Sequence, residues 1–220
     1  MRSLFEASSI AVVGASQKEG KIGHIIVRNL IGSGYRGSLY PVNPRSAEVL
    51  GLKCYPDLAS IPGEVEMVVV VVPGTAVPQV MEEAGEKGAK VAVVISAGFR
   101  ETGREGAELE RRVGEIARRH GLRVLGPNCM GVISTSNSMN ATFTNDYPRE
   151  GPVAISSQSG AICSVVLDWA RATRIGFSKF ISVGNKLDID EADLLGYLKD
   201  DEQTAVIGLY IEGMSKGQEF

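Results

Sequence analysis

A glycine-rich turn follows the first buried strand of the sequence. The apolar strand Ile10–Val13 leads into this turn, and a helix is predicted to begin near Lys21. Backbone N–H groups in such a turn, together with the N-terminus of the helix, favour an anion and usually a phosphate. The residues that we expect at this phosphate site are Gly14, Ser16, Gly20, Lys21 and Gly23.

A second strand, turn and helix occur between residues 153 and 172, with Ser159 and Gly160 in the turn. Their N–H groups at the start of the helix predict a second anion site. A serine nucleophile is an alternative, but the turn lacks the first glycine of G-x-S-x-G, and no motif places His24 or His120 beside Ser159. A serine-rich helix cap with no further function is the other alternative.

The elements that position these turns alternate regularly between strand and helix. The predicted strands of the first half are almost entirely aliphatic, which is typical of a parallel sheet covered on both faces. They are Ile10–Val13, Ser38–Val42, Met67–Val72, Val91–Ile95 and Val124–Leu125. The predicted helices between them are Ile22–Gly32, Pro78–Gly88 and Gly103–Gly121. This order predicts an α/β, Rossmann-like, doubly wound parallel sheet with its ligand at the carboxyl ends of the strands.

The loops that follow these strands are rich in glycine, proline and other small residues. Short α/β loops are often built of turn-forming residues for purely structural reasons. Five such loops at one edge of a sheet instead indicate a long ligand that crosses the strand ends. After the first turn, they are Asn43–Arg45, Pro73–Pro78, Ser96–Phe99 and Gly126–Gly131.

The end of the second predicted strand bears on the identity of the nucleotide. An NAD site usually has an acidic residue there, but this sequence has Asn43, Pro44 and Arg45. An arginine suits an additional phosphate, either that of NADP or the 3′-phosphate of coenzyme A (CoA). Ala15 also occupies the second glycine position of G-x-G-x-x-G, which weakens the case for a dehydrogenase.

The motifs VVGAS, KIG, YPVNP, VVVVVP, ISAGF and GPNCMG occur in this order between Val12 and Gly131. Together they resemble the CoA-binding region of ADP-forming acyl-CoA synthetases, which are relatives of the succinyl-CoA synthetase α subunit. The resemblance runs from about Ser9 to the end of the chain. It implies a CoA-binding domain followed by the first part of a flavodoxin-like, succinyl-CoA ligase-like domain.

The resemblance also assigns roles to individual positions. It implies that Ser16 and the Gly20–Gly23 turn hold the phosphates of the coenzyme, that Arg45 lies in the 3′-phosphate region, and that Asn43 also contacts the coenzyme. The remaining implied contacts run from the adenine and ribose along the pantetheine arm toward the thiol. They involve Val72, Pro73, Ser96, Ala97, Gly98, Asn128 and Cys129. From its surroundings in the sequence, Cys129 is more typical of a small packing residue than of a reactive thiol.

In the second half, the resemblance places Ser159 and Gly160 at a helix whose dipole faces a phosphohistidine. Glu212 matches an acid that hydrogen-bonds this histidine, and Asn185 and Lys186 lie in a loop near the same phosphate. A solvated loop carboxylate is the ordinary alternative for Glu212. The histidine itself is expected beyond the present sequence, so the chain is expected to be a fragment or one part of a split protein and inactive alone. ADP, ATP and Mg²⁺ are expected only through an ATP-grasp β subunit or domain.

We predict a CoA-binding domain at residues 1–133, a linker at 134–150 and an incomplete second domain at 151–220. The segment 134–146 is polar and is predicted to have no regular structure. The first domain is expected to fold alone. The second is expected to be an open sheet of three strands with an uncovered apolar edge, which favours association with another polypeptide.

Composition limits the remaining possibilities. A net charge of −3 does not favour nucleic acid or an anionic membrane, and the longest apolar run is far shorter than the ~20 residues of a membrane span. Three scattered cysteines show no metal-ligand spacing and fit a reducing cytoplasm. Two alternative functions stay open, namely a CoA-sensing regulatory domain of a protein acetyltransferase and an NADP-binding oxidoreductase domain. A homo-oligomer is also possible.

Overall fold

The computed structural model describes residues 1–214 and Gly217. The helices in this range are α1 (Arg2–Phe5), α2 (Ile22–Gly32), α3 (Val77–Glu86), α4 (Arg104–His120), α5 (Gly160–Thr173) and α6 (Glu191–Leu198). The strands are β1 (Ser9–Val13), β2 (Ser38–Val42), β3 (Glu48–Val49), β4 (Leu52–Lys53), β5 (Met67–Val70), β6 (Val91–Val94), β7 (Arg123–Leu125), β8 (Gly131–Ser134), β9 (Met139–Thr142), β10 (Glu150–Ser157), β11 (Phe177–Ser182) and β12 (Val206–Tyr210). Short 3₁₀ helices occupy Gly74–Ala76, Arg100–Thr102 and Thr135–Asn137.

The first sheet has the strand order β2-β1-β5-β6-β7, and all of its strands are parallel. Every residue of β1, β5 and β6 is buried, which explains why these strands show no alternation of polar and apolar residues. The prediction of a doubly wound parallel sheet is therefore confirmed. Strand β5 ends at Val70, so Val71 and Val72 belong to the loop at the carboxyl edge.

The second sheet has the order β12-β10-β11-β8-β9. Strands β10, β11 and β12 are parallel, while β8 and β9 pair antiparallel. The expectation of three strands was wrong because β8 and β9, which come from the region assigned to the first domain and the linker, complete the second sheet. The exposed side chains of Val206 and Tyr210 on β12 agree with the expected apolar edge.

The hairpin of β8 and β9, residues 131–142, contradicts the prediction that the polar segment after residue 134 lacks regular structure. The polar side chains of its two strands, Ser134, Asn140 and Thr142, are buried, and Thr142 Oγ1 donates to Asn140 Oδ1 at 2.6 Å. The hairpin is also bound to α2. Asn29 Nδ2 donates to the Thr142 carbonyl at 2.9 Å, and Ser33 Oγ donates to the Ser138 carbonyl at 2.6 Å.

One apolar core extends through both sheets. A single cluster of buried side chains contains Val12 and Val69 from the first sheet, Met139 from the hairpin, and Ile181 from the second sheet. The two sheets therefore share an interior rather than meeting at a solvated boundary. The family resemblance also implies a helix that begins near Met214, and this segment lies mostly outside the described residues.

Candidate functional site at the carboxyl edge of the first sheet

The turn between β1 and α2 is compact because two glycines allow close backbone contacts. Gly14 has a φ of +95°, and a Cβ at this position would lie 2.8 Å from the Val71 carbonyl oxygen. A Cβ on Gly23 would lie 2.0 Å from the Gly14 carbonyl oxygen. The sequence therefore needs glycine at both positions for α2 to begin directly behind the turn.

Polar contacts within the turn hold its shape. Ser16 Oγ accepts a hydrogen bond from the Lys18 N–H at 3.0 Å, and His24 Nδ1 lies 3.0 Å from the Ser16 carbonyl oxygen. His24 is buried, and this contact gives it a structural role. From the loop after β2, Asn43 Nδ2 donates to the Ala15 carbonyl at 2.7 Å. The first turn and the loop after β2 thus form one unit.

Two cavities adjoin at this edge of the sheet. The outer cavity, about 860 Å³, extends from the turn after β1 to the loop after β2. Its lining includes Gly14, Ser16, Lys21, Gly23, Asn43, Arg45, Asp57, Val72 and Pro73. The inner cavity, about 820 Å³, extends to the second sheet. Its lining includes Val72, Pro73, Ser96, Ala97, Arg100, Glu101, Asn128, Cys129, Met130, Phe143, Gln158, Gly160, Asn185 and Glu212. The residues Ile22, Val71, Val72 and Pro73 line both.

The loops after β5, β6 and β7 are joined by hydrogen bonds at the middle of this path. Ser96 Oγ donates to the Val72 carbonyl at 2.6 Å, and the Asn128 N–H donates to the Ser96 carbonyl at 3.0 Å. Cys129 lies beneath them, where its thiol donates to the Val94 carbonyl at 3.4 Å. Burial raises the pKa of Cys129 to about 12, so the thiol stays protonated at neutral pH and acts as a packing group.

A turn after β11 connects the first sheet to the second. The Asn185 N–H donates to the Pro127 carbonyl at 2.9 Å. The Asn185 side chain donates from Nδ2 to Glu101 Oε2 at 2.7 Å and to Glu110 Oε2 at 2.8 Å. Asn128 Nδ2 lies 3.4 Å from Asn185 Oδ1. This one amide therefore holds together three loops that surround the inner cavity.

The carboxylate of Glu101 is fixed in the inner cavity. Its Oε1 accepts hydrogen bonds from the N–H groups of Gly98 at 2.6 Å and Phe99 at 3.0 Å. Burial acts to raise the pKa of Glu101, but the hydrogen bonds from Asn185, Phe99 and Gly98 outweigh it. The pKa is therefore below its usual value, and Glu101 is an anion that serves poorly as a general base.

The far end of the inner cavity is the N-terminus of α5. Ser159 caps this helix, and its side chain accepts from the Ile162 N–H at 3.4 Å. Gln158 holds the loop after β12: its Oε1 accepts from the N–H groups of Glu212 and Gly213, the latter at 3.0 Å. Lys186 donates to the Gly213 carbonyl as well. The loop that carries Glu212 is thereby set beside the start of α5.

Most of the sequence-predicted site residues line these two cavities. Gly20, Gly98 and Ser159 line neither, although each lies in a loop that contributes to one of them. The sequence did not identify Glu101, Met130, Phe143 or Gln158. Met130 lies within GPNCMG, Gln158 directly precedes Ser159, and Glu101 follows ISAGF by two positions, so position in or near a motif was an available signal. No comparable signal existed for Phe143, whose segment was predicted to be unstructured.

Comparisons with known proteins agree with this geometry. The family model described as CoA binding domain matches residues 8–135, and the model described as succinyl-CoA ligase like flavodoxin domain matches residues 150–220. The chain belongs to the CoA-binding domain family. Its resemblance to the ADP-forming acyl-CoA synthetases and the succinyl-CoA synthetase α subunit is thereby confirmed.

Similar proteins include the acetate–CoA ligase [ADP-forming] I subunit alpha of Pyrococcus furiosus, 48% identical over 224 residues. This match covers 100% of the present chain and 48% of that subunit. Acetate–CoA ligase [ADP-forming] I of Archaeoglobus fulgidus is 47% identical over 220 residues, which are 100% of this chain and 32% of that protein. The chain thus spans about a third to a half of these relatives.

Among solved structures, the apo form of dinucleotide forming acetyl-coenzyme A synthetase 1 of Ca. Korarchaeum cryptofilum superposes with a TM-score of 0.97. The two sequences are 42% identical. The match covers 100% of the present chain and 48% of the synthetase chain. The comparisons support neither the acetyltransferase regulatory domain nor the NADP oxidoreductase. In the described part of the chain, no helix has the length and apolar character that crossing a bilayer requires.

Proposed function

We propose that this chain is the CoA-binding portion of an ADP-forming acyl-CoA synthetase. The complete enzyme converts acyl-CoA, ADP and phosphate to the acid, CoA and ATP through an acyl phosphate and a phosphohistidine. The observation that carries the proposal is the pair of adjoining cavities, which run from Arg45 past Cys129 to Gly160 and Glu212. A long coenzyme and a phosphate acceptor both fit such a path.

In this proposal, the coenzyme lies along the strand ends. Arg45 contacts the 3′-phosphate at the outer end, while Ser16, Lys21 and Gly23 at the start of α2 hold the diphosphate. Val72 and Pro73 line the adenine and ribose. Ser96, Ala97 and Gly98 follow the pantetheine arm, and the thiol comes to rest near Asn128 and Cys129.

The inner end of the path suits the phosphate step. The Ser159 N–H already donates to Ser157 Oγ at 3.1 Å, so the anion is left to the Gly160 N–H at the start of α5. Glu212, which lines the same cavity, would accept a hydrogen bond from an incoming phosphohistidine. That histidine, ADP and Mg²⁺ come from other parts of the enzyme, with the nucleotide and metal on an ATP-grasp subunit or domain. The described chain supplies the coenzyme site and half of the phosphate site.

A calorimetric titration of this chain with CoA, 3′-dephospho-CoA and NADP⁺ tests the proposal. We expect CoA to bind and Arg45→Ala to weaken it about 10- to 100-fold, the range for a hydrogen bond to a charged group. Because Arg45 acts on the 3′-phosphate, Arg45→Ala should weaken dephospho-CoA binding little further. Arg36→Ala, another exposed arginine that lines neither cavity, is the matched control and should bind CoA like the wild type.

Two results would overturn this assignment. Binding of NADP⁺ without binding of CoA would favour the alternative function, an NADP-binding oxidoreductase domain. If Arg45→Ala lowers the affinity for CoA and for dephospho-CoA equally, Arg45 does not contact the 3′-phosphate.

A further inference from the structure

Three apolar side chains, Ile22, Met130 and Phe143, line the inner cavity together with Cys129 and Gly160. Met130 directly follows Cys129 and lies against the start of α5. Its Cγ and Sδ are 3.6 and 3.7 Å from the position of a Cβ on Gly160. Ile22 begins α2 and is 43% exposed, and Phe143 follows β9; both line the same cavity.

The backbone around Phe143 is held in place by α2. Asn29 Nδ2 donates to the carbonyls of both flanking residues, Thr142 at 2.9 Å and Thr144 at 2.6 Å. The half-buried Phe143 ring packs against the core cluster shared by the two sheets and against a second cluster under α5. The ring is therefore a fixed part of the cavity wall.

The charges in the same cavity are mostly negative. Glu101 and Glu212 contribute two carboxylates. Among the described lining residues, Arg100 is the one cationic side chain, and its Nε lies 3.5 Å from the buried carboxylate of Glu110. This lining therefore contributes little binding free energy to a negatively charged ligand group. The exception is a phosphate at the N-terminus of α5.

We propose that Ile22, Met130 and Phe143 form the acyl subsite of this chain, that the subsite takes acyl groups without a terminal charge, and that Phe143 limits their size. This inference rests on the proposed function. In acyl transfer a phosphate oxygen bonds to the thioester carbon and the CoA thiolate leaves. The acyl carbon must therefore lie between Cys129 and Gly160, and the rest of the acyl group faces the apolar side chains.

Stable thioethers of CoA test the subsite on the chain as it exists. We expect S-propyl-CoA to bind at least about fourfold more tightly than S-methyl-CoA, which corresponds to burial of at least one of its two additional methylene groups. S-(2-carboxyethyl)-CoA should lose this gain because its carboxylate meets the carboxylates of Glu101 and Glu212, while Arg100 is paired with Glu110. Carboxyethyl binding as tight as propyl binding would overturn the charge selectivity.

Two isoleucines of α2 supply a matched pair of variants. Ile22→Ala should remove the preference for propyl over methyl. Ile31→Ala, on the same helix and similarly exposed at 45%, lines neither cavity and should retain the preference. Identical behaviour of the two variants would overturn the assignment of Ile22.

Phe143→Ala should weaken S-propyl-CoA relative to S-methyl-CoA and tighten S-(2-phenylethyl)-CoA at least about fourfold. Phe143→Leu, which keeps an apolar side chain in the core, is the second variant if the alanine variant does not fold. Unchanged discrimination in a folded variant that still binds S-methyl-CoA would overturn the role of Phe143. Failure of the wild type to bind CoA itself would instead overturn the proposed function.

Discussion

The ion pair between Lys186 and Glu191 joins the loop after β11 to the start of α6. We expect substitution of one of its partners to cause a large loss in the free energy of unfolding. Lys186 Nζ lies 2.9 Å from both carboxylate oxygens of Glu191, and the two side chains are only 5% and 6% exposed. The same ammonium group donates to the carbonyl of Gly213, beside Glu212. All of its hydrogen-bonding capacity is therefore used, and water cannot replace a lost partner easily.

Lys186→Met keeps the length of the side chain but leaves the Glu191 carboxylate buried without its cation. Loss of one partner of a buried pair costs about 3–5 kcal/mol in the free energy of unfolding. For a chain of this size, that corresponds to a fall in Tm of roughly 6–20 °C. Replacing both partners, in Lys186→Met with Glu191→Met, removes the unpaired charge and should recover most of the loss.

Urea unfolding followed by circular dichroism measures these free energies, with a constant m value as the check that the same transition is observed. Arg171→Met is the control, because Arg171 pairs with Asp168 at the surface, with side chains 72% and 70% exposed. It should change the free energy by less than about 1 kcal/mol. The reasoning is refuted if Lys186→Met costs no more than this control, or if the double variant loses the sum of the two single losses.

Two further outcomes follow from the coenzyme edge. In Gly23→Ala, the new Cβ would lie 2.0 Å from the Gly14 carbonyl oxygen, so calorimetry should show that the affinity for CoA falls at least about tenfold. Gly32→Ala, whose Cβ would lie in open space on the same helix, should leave this affinity unchanged. The pKa of Glu101 is lowered in the folded chain, so its ionised form contributes stability that is present above its ordinary value of 4.5 and is lost as the pH falls through the folded value. Glu101→Gln should flatten the fall in stability below pH 4.5 in acid titrations, whereas exposed Glu105→Gln should not, and equal profiles would contradict the assignment.

The sequence was sufficient for the first sheet because its signals are local. Aliphatic strands such as Val91–Val94 are buried on both faces, and α4 ends at Gly121 in the left-handed conformation, as its position predicted. The turn after β1 was also predictable, since only glycine tolerates the backbone contacts at Gly14 and Gly23. These features depend on residues that are close together in the chain.

The β8–β9 hairpin and the hydrogen bonds of the Asn185 side chain could not be predicted, because they depend on residues that are far apart in the chain. Asn140 and Thr142 are typical of a loop, yet they are buried because neighbouring side chains and α2 satisfy them. Asn185 contacts Glu101 across 84 positions of the chain. Tertiary packing determines both features, and neither periodicity nor motif spacing records it.

The shared apolar core has a consequence for any attempt to divide this chain. A fragment ending at residue 135, where the first family match ends, would lose Met139 and Ala141 from the core and the carbonyl partners of Asn29 and Ser33. We therefore expect the smallest cooperative folding unit to be longer than the family match, which is the opposite expectation to independent folding of the first domain. Because α2 is part of that unit, coenzyme bound at its N-terminus should raise the melting temperature of both sheets in a single transition.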